Sequence, residues 1–218
     1  MLNDISERKQ TWITIFIFLG LVLALTSPFH YAIVNLYPSR IYVGAIMWCP
    51  AIAAFITLKI RGRKISSLPW KWPNLKYIRW SYIVPALYGV ITYLLIWSFG
   101  FGNLVNTGTI TEWGKELGLF GIGTLNPTSI TIIAIILLGT VEVIRASATT
   151  LGEEIGWRGF FIFELRKVLS FTGVAIFSGL VWSFWHWPLL VYYSKNVLLE
   201  FTTFTIVIIS MSFIMTYY

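Results

Sequence analysis

Leu151-Gly-Glu-Glu-Ile-Gly-Trp-Arg-Gly-Phe-Phe161 places two adjacent carboxylates and an arginine inside a segment that is apolar on both sides. Ionisable groups at membrane depth are costly, and they usually face a protein interior or a watery cavity. On a helix, Glu154 and Arg158 are four residues apart and lie on one face, where they can pair. Glu153 points about 100° away from Glu154 at the helical period. The segment therefore predicts a helix in which one acid is held by a cation and the other is left to do chemistry.

The composition of the whole chain indicates a membrane protein. Its 218 residues are 57% hydrophobic and only 11% charged, with a mean hydropathy of +0.76. In a typical soluble domain, roughly a quarter of all residues are charged. The net charge of +7 is explained by basic residues that flank membrane spans, so lipids are predicted as partners and nucleic acid is not. The single cysteine, Cys49, excludes an intrachain disulfide.

Six apolar segments are each long enough to cross a bilayer, which predicts an all-α, polytopic bundle of about six transmembrane helices. They cover residues 11–28, 41–60, 81–101, 128–169, 171–192 and 197–217. The fourth would be roughly 60 Å long as a helix, twice the hydrocarbon thickness. We therefore expect it to protrude from the membrane, to tilt strongly or to break, and a break is expected near residues 146–150, where small and hydroxylated residues cluster. Residues 102–127 are predicted to form a loop.

Basic residues predict the orientation of the chain. Residues 61–80 interleave Lys and Arg with Trp and Tyr, which favours a belt at the level of the lipid headgroups over a surface that stacks nucleic-acid bases. The connections on the side of this belt carry 11 Lys and Arg residues, against 3 on the other side. The first side is predicted to be cytoplasmic, and both termini with it.

A second informative stretch, residues 181–190, contains His186 among aromatic residues. If residues 171–173 hold the turn before this helix, Glu154 and His186 are equally far from it, at about 24 Å. A carboxylate and an imidazole that meet between helices can deprotonate a water or share a metal. The charged residues of the first stretch are equally compatible with a buried ion network or a transport path. His30 is interpreted as interfacial, and Glu142 and Arg145 as a structural pair.

The sequence is compatible with a catalytic zinc site and with a metal-free one. The chain has no His-Glu-x-x-His and no Cys-x-x-Cys pattern, so a closed structural zinc site is not predicted. An open catalytic site would need three protein ligands. Glu153, Glu154 and His186 could supply them, and a metal-free mechanism is the alternative.

The two stretches resemble the CPBP intramembrane protease family, which comprises the CAAX prenyl endopeptidases and their bacterial relatives of the Abi type, some linked to bacteriocin processing or self-immunity. The first family motif, Glu-Glu-x-x-x-Arg, is matched by Glu153, Glu154 and Arg158. The second, Phe-x-x-x-His, is matched by Trp182 and His186, with Trp where Phe is usual. The resemblance covers roughly residues 130–217, so residues 128–218 are interpreted as the catalytic core and residues 1–127 as preceding helices.

The resemblance implies an all-helical peptidase in a bacterial cell membrane, which acts on a peptide or protein substrate. Glu153 would activate the attacking water with help from His186, while Glu154 and Arg158 would hold the site. The family is often described as a metalloprotease, although a metal-free mechanism is also argued for it. Its later His-x-x-x-Asn element has no match after His186, which predicts a shortened or degenerate copy. The rival interpretations are a non-catalytic immunity or scaffold protein that binds a peptide in the same cavity, and a small transporter.

Overall fold

The computed structural model describes residues 2–36, 39–102, 106–119 and 125–217, and these residues form helices and turns without a strand. The helices are α1 (Leu2–Asn35), α2 (Arg40–Ile60), α3 (Leu75–Ser98), α4 (Thr107–Leu119), α5 (Pro127–Leu165), α6 (Phe171–Tyr193) and α7 (Val197–Tyr217). Within the described ranges, six of them are long and apolar enough to cross a membrane, and α4 is the exception. The predicted all-α bundle of about six spans is confirmed.

The loop predicted over residues 102–127 contains a helix. Thr107–Leu119 forms α4, and its Leu117 is buried. A side chain of α5, Ile130, lies 3.0 Å from the position that a Cβ atom would take on Gly114. The prediction was wrong because the many Gly and Thr residues hid a short helix that is stabilised by packing rather than by propensity.

The predicted break in α5 near residues 146–150 is also wrong. Thr150 Oγ1 donates a hydrogen bond to the carbonyl of Ala146 at 3.0 Å, so the hydroxyl group is satisfied inside a regular helix. The helix instead widens into π-helical turns at Leu138–Glu142 and Trp157–Phe161. Wide turns of this kind are frequent at functional sites, and the second one contains Arg158.

The turn between α5 and α6 comes earlier than the sequence predicted. The last helical residue of α5 is Leu165, and α6 begins at Phe171. Ser170 caps α6, because its hydroxyl oxygen accepts a hydrogen bond from the backbone N–H of Gly173 at 3.3 Å. Residues 171–173 are therefore the first turn of α6 and not the connection before it.

The chain divides into two compact units, one made of Met1–Trp70 with Ala146–Tyr218 and the other of Lys71–Arg145. In the second unit, the hydroxyl of Tyr82 on α3 donates to the carbonyl of Gly139 at 2.6 Å. Glu142 and Arg145 form the predicted ion pair at 2.6 Å. The division of the sequence at residue 127 rests on motif content and stays a prediction.

The core of the first unit is built around aromatic rings. Phe18 of α1 is fully buried, and its ring centroid lies 5.0–5.5 Å from those of Trp157, Phe160 and Phe161. These three belong to the wide turn of α5. The first helix therefore supports the segment that carries the motif arginine.

Three basic segments meet at one end of this unit. Arg8 donates to the carbonyl of Val168 at 3.2 Å. Arg63 contacts Glu164 at 2.6 Å, and Lys167 contacts the same carboxylate at 2.8 Å. Three of the cations that were predicted to lie on one side of the membrane thus meet near the end of α5, two of them on the buried carboxylate of Glu164.

Candidate active site

Two glycines bring the motif segment of α5 into contact with the backbone of α2. A Cβ atom on Gly152 would lie 2.6 Å from the Cα of Trp48, and one on Gly156 would lie 2.7 Å from the carbonyl oxygen of Pro50. Only hydrogen fits at these two positions. The glycines are four residues apart, so they lie on one helix face, and small residues at this spacing allow helices to approach closely in membranes.

Glu153, between these glycines, lies inside the protein. Only 5% of the residue is exposed, and its carboxylate accepts a hydrogen bond from the indole N–H of Trp182 on α6. A buried carboxylate is costly unless it is paired or hydrogen-bonded. The sequence predicted that Glu153 would be free of Arg158, and the structure gives it a different partner on the neighbouring helix.

Glu154 and Arg158 form the predicted ion pair on one face of α5. Arg158 Nη1 lies 3.3 Å from Glu154 Oε1, and the side chains are 17% and 47% exposed for Arg158 and Glu154 respectively. The guanidinium also lies over the ring of Trp182, with 3.8 Å between Cζ and the ring centroid. Its Nη2 contacts the sulfur of Met215 on α7 at 2.7 Å. Side chains of three helices therefore hold this arginine.

His186 is oriented by its own helix. Its Nδ1 lies 3.0 Å from the carbonyl oxygen of Trp182. A carbonyl can only accept, so Nδ1 carries the proton, and in the neutral ring Nε2 keeps a free lone pair. The ring packs against aromatic side chains, with centroid distances of 4.7 Å to Trp185 and 5.4 Å to Phe204. The imidazole can therefore accept a proton or hydrogen bond at Nε2.

The structure brings the predicted residues to one region but changes their register. The sequence spacing predicted that Glu154 and His186 lie at the same height on α5 and α6. In the structure, Glu153 and Trp182 instead make a contact between these helices. Trp182 is the residue of α6 that faces Glu153. His186 lies four residues further along α6, which is about one helical turn or about 6 Å along the axis. The ring centroids of Trp182 and His186 are 5.7 Å apart, so Trp182 connects the acid to the imidazole.

The residues named as candidate zinc ligands do not form a cluster. Among the described residues, no three His, Cys, Asp or Glu side chains are grouped so that they could hold a metal ion. Trp182 binds the carboxylate of Glu153, and His186 lies a turn further along α6. The set of Glu153, Glu154 and His186 does not fit a three-ligand zinc site in this arrangement, and zinc binding stays a prediction.

Three features of this region were not identified from the sequence. Trp182 was assigned only as a motif position, and its indole bond to Glu153 depends on helix register. Met215 carried no recognisable signal. His30, which was interpreted as interfacial, contacts the aromatic residues of this region: its ring centroid lies 6.5 Å from that of Trp185, and its Nε2 is buried without a hydrogen-bond partner in the described part of the chain.

The C-terminal part of the chain matches a known family. Residues 130–218 match the family model described as type II CAAX prenyl endopeptidase Rce1-like. The matched residues include Glu153, Glu154, Arg158 and His186, so the resemblance inferred from the two motifs is confirmed. The comparisons with curated proteins and with solved structures give no significant match.

Proposed function

We propose that this chain is an intramembrane endopeptidase of the CPBP/CAAX protease family, because residues 130–218 match the family model described as type II CAAX prenyl endopeptidase Rce1-like. It hydrolyses a peptide bond of a membrane-associated, CAAX-like substrate by means of a water that Glu153 and His186 activate. Glu154 and Arg158 complete the proposed site. The reaction takes place beside the buried side chains of Glu153 and Arg158, where bulk water does not compete with their hydrogen bonds to the substrate.

The proposed steps conserve protons and need no further reactant. Glu153 takes one proton from the water while the water oxygen bonds to the carbonyl carbon of the substrate. His186 Nε2 accepts a hydrogen bond from the same water and orients it. Glu153 then returns the proton to the amide nitrogen as the carbon–nitrogen bond breaks. The products are a carboxylic acid and an amine.

Arg158 is suited to stabilise the oxyanion that this attack generates. A tetrahedral intermediate needs donors aimed at its oxygen. Arg158 Nη1 is buried and has no partner of hydrogen-bond geometry among the described residues, although it lies 3.3 Å from Glu154. The ion pair with Glu154 keeps the guanidinium in place, and the remaining donor capacity is available to substrate.

One observation supports this proposal above the others. A carboxylate that is almost fully buried in a membrane helix is hydrogen-bonded to the helix that also carries an oriented imidazole. A structural ion network would need the cation and the acid but not a histidine with a free Nε2.

The test is peptide cleavage by purified protein in detergent or lipid. Glu153→Gln and His186→Ala are each expected to lower the rate at least about 100-fold, because general acid–base groups contribute typically 10²–10⁴-fold. Glu116→Gln, which changes an exposed glutamate of α4, is the matched control and should cleave at the wild-type rate. Wild-type activity in both site variants would remove the catalytic assignment.

Two further measurements separate the finer alternatives. Cleavage with and without a chelator decides whether zinc takes part, and a rate that a chelator abolishes and zinc restores would show that a metal acts in the reaction. Binding of a peptide without cleavage would favour the non-catalytic immunity or scaffold interpretation. Substrates with and without a prenyl group show whether the lipid is recognised.

A further inference from the structure

We propose that Trp182 is a positioning residue of this site, which fixes the Glu153 carboxylate and the Arg158 guanidinium relative to each other. The inference rests on the proposed peptidase function. In the family motif this position is usually Phe, and the change to Trp adds an indole N–H. The structure shows what that N–H does, since it donates to Glu153.

The first contact restrains the acid. The indole N–H donates to Oε1 of Glu153, which leaves Oε2 for a water. A buried carboxylate without a donor would lose its fixed orientation or turn towards Arg158. Misplacement of a catalytic group by about 1 Å can cost 10²-fold in rate, so orientation alone is sufficient to matter.

The second contact restrains the cation. The guanidinium of Arg158 lies over the indole ring, with Cζ 3.8 Å from the ring centroid. Cation–π attraction is strongest for Trp among the aromatic residues, and it increases when the pair is desolvated. One side chain therefore holds the acid by its edge and the arginine by its face, which keeps Glu153 and Arg158 apart.

The third contact separates these roles from that of His186. His186 Nδ1 binds the backbone carbonyl of Trp182, so this hydrogen bond does not depend on which side chain residue 182 carries. A substitution at Trp182 thus changes the surroundings of Glu153 and Arg158 and leaves the hydrogen bond to His186 in place.

The kinetic test compares two tryptophans of the same helix. Trp182→Phe keeps an aromatic ring and removes the donor to Glu153. Trp187→Phe is the matched control, because it removes an indole N–H that bonds to Ser183 at 3.1 Å and Thr205 at 3.3 Å, away from Glu153. We expect Trp182→Phe to lower kcat about 10- to 100-fold and to change KM by less than about threefold, while Trp187→Phe keeps kcat. An unchanged kcat in Trp182→Phe, or an equal loss in both variants, overturns the inference.

A second measurement does not depend on peptidase activity. Thermal unfolding of Trp182→Phe, Glu153→Ala and the double variant forms a double-mutant cycle, and the same cycle is measured with Trp187→Phe. Residues that share a hydrogen bond give non-additive effects, whereas distant residues add. Non-additivity is expected only with Trp182, and additivity there overturns the inference whatever the wild type cleaves. If the Trp182 and Glu153 variants are non-additive but the wild-type protein cleaves no peptide, the proposed function is wrong and the placement of Glu153 by Trp182 is still supported.

Discussion

Glu153 and Glu154 are adjacent in the chain but have different surroundings. Glu153 is 5% exposed and binds an indole of the next helix. Glu154 has a side chain that is 47% exposed and pairs with Arg158 within its own helix. The 100° step between successive helical residues is sufficient to separate a buried acid from a half-exposed one. Of these two neighbouring acids, Glu153 therefore supplies a desolvated carboxylate, while Glu154 holds the cation Arg158 in place.

Replacement of Arg158 tests the shape of its side chain as well as its charge. Arg158→Lys keeps the positive charge but loses the planar group that lies over Trp182 and reaches Glu154 and Met215 together. We expect kcat/KM to fall about 10- to 100-fold, since hydrogen bonds to charged groups contribute about 1.5–3 kcal/mol. Peptide cleavage by the purified variant measures the effect.

The control for this change is Arg40→Lys, which alters an exposed arginine at the start of α2. It should cleave at the wild-type rate and unfold at the wild-type temperature. Full activity of Arg158→Lys would show that a point charge is sufficient, and the role assigned to the planar guanidinium would be wrong.

At this scale the sequence predicted part of the site. The spacing of Glu154 and Arg158 predicted their ion pair, because both residues belong to one helix and helical geometry fixes the distance. The bond between Glu153 and Trp182 could not be predicted, since it depends on the register of α6 against α5. The connection before α6 ends at the Ser170 cap, and an error of one helical turn in the connection changes which side chains meet.

Among the helices, the contact between α5 and α2 determines where the motif lies. Gly152 and Gly156 allow the α5 backbone to touch Trp48 and Pro50. Packing of this kind depends on small residues, because apolar side chains gain little from leaving an equally apolar lipid. A larger residue would push α5 away from α2 and move the Glu153 carboxylate with it.

Gly156→Ala is expected to destabilise the protein by about 1–3 kcal/mol, the usual cost of forcing extra atoms into a packed contact. The new Cβ would lie 2.7 Å from the carbonyl oxygen of Pro50, and a backbone atom cannot move aside as a flexible side chain can. Thermal unfolding in detergent measures the loss, and the peptidase rate of the folded fraction should fall as well.

Gly20→Ala is the matched control, because no described atom lies within 4 Å of the position that its Cβ would take. It should be neutral or slightly stabilising, since Ala is the better helix former by up to about 1 kcal/mol. Equal unfolding temperatures for the two variants would show that α5 and α2 can separate without cost.

The sequence predicted the helices more accurately than their interruptions. The last span, residues 197–217, coincides with α7, because a long apolar run has only one satisfied conformation in lipid. The wide turns of α5 were not predicted. Gly139 and Gly159 lie within these turns, but Gly152 and Gly156 lie in regular α-helix, so a glycine does not mark such a turn in the sequence. The hydroxylated residues 146–150 remain helical.

For the molecule as a whole, the contacts made by basic segments agree with the orientation that the distribution of Lys and Arg in the sequence predicts. Arg8, Arg63 and Lys167 come from three separate segments, and they meet around Val168 and Glu164. The count predicted that these cations share one side of the membrane, and the first compact unit brings them to one end. The excess of cations at that end predicts that it faces the cytoplasm.

Cysteine labelling in intact cells that express the protein tests this orientation, and the chain is suited to it because its single native cysteine, Cys49, is only 2% exposed. Ser66 lies just beyond Arg63, whereas Lys195 follows α6, and both residues are exposed. The 23 residues of α6 span about 35 Å, more than the roughly 30 Å of hydrocarbon, so the two positions lie on opposite sides. We expect Lys195→Cys to react with an impermeant maleimide added outside, and Ser66→Cys to react only after permeabilisation. The unsubstituted protein gives the background labelling of Cys49. The reversed labelling pattern would place the basic end outside the cell and would contradict the orientation that the excess of 11 cations over 3 predicts.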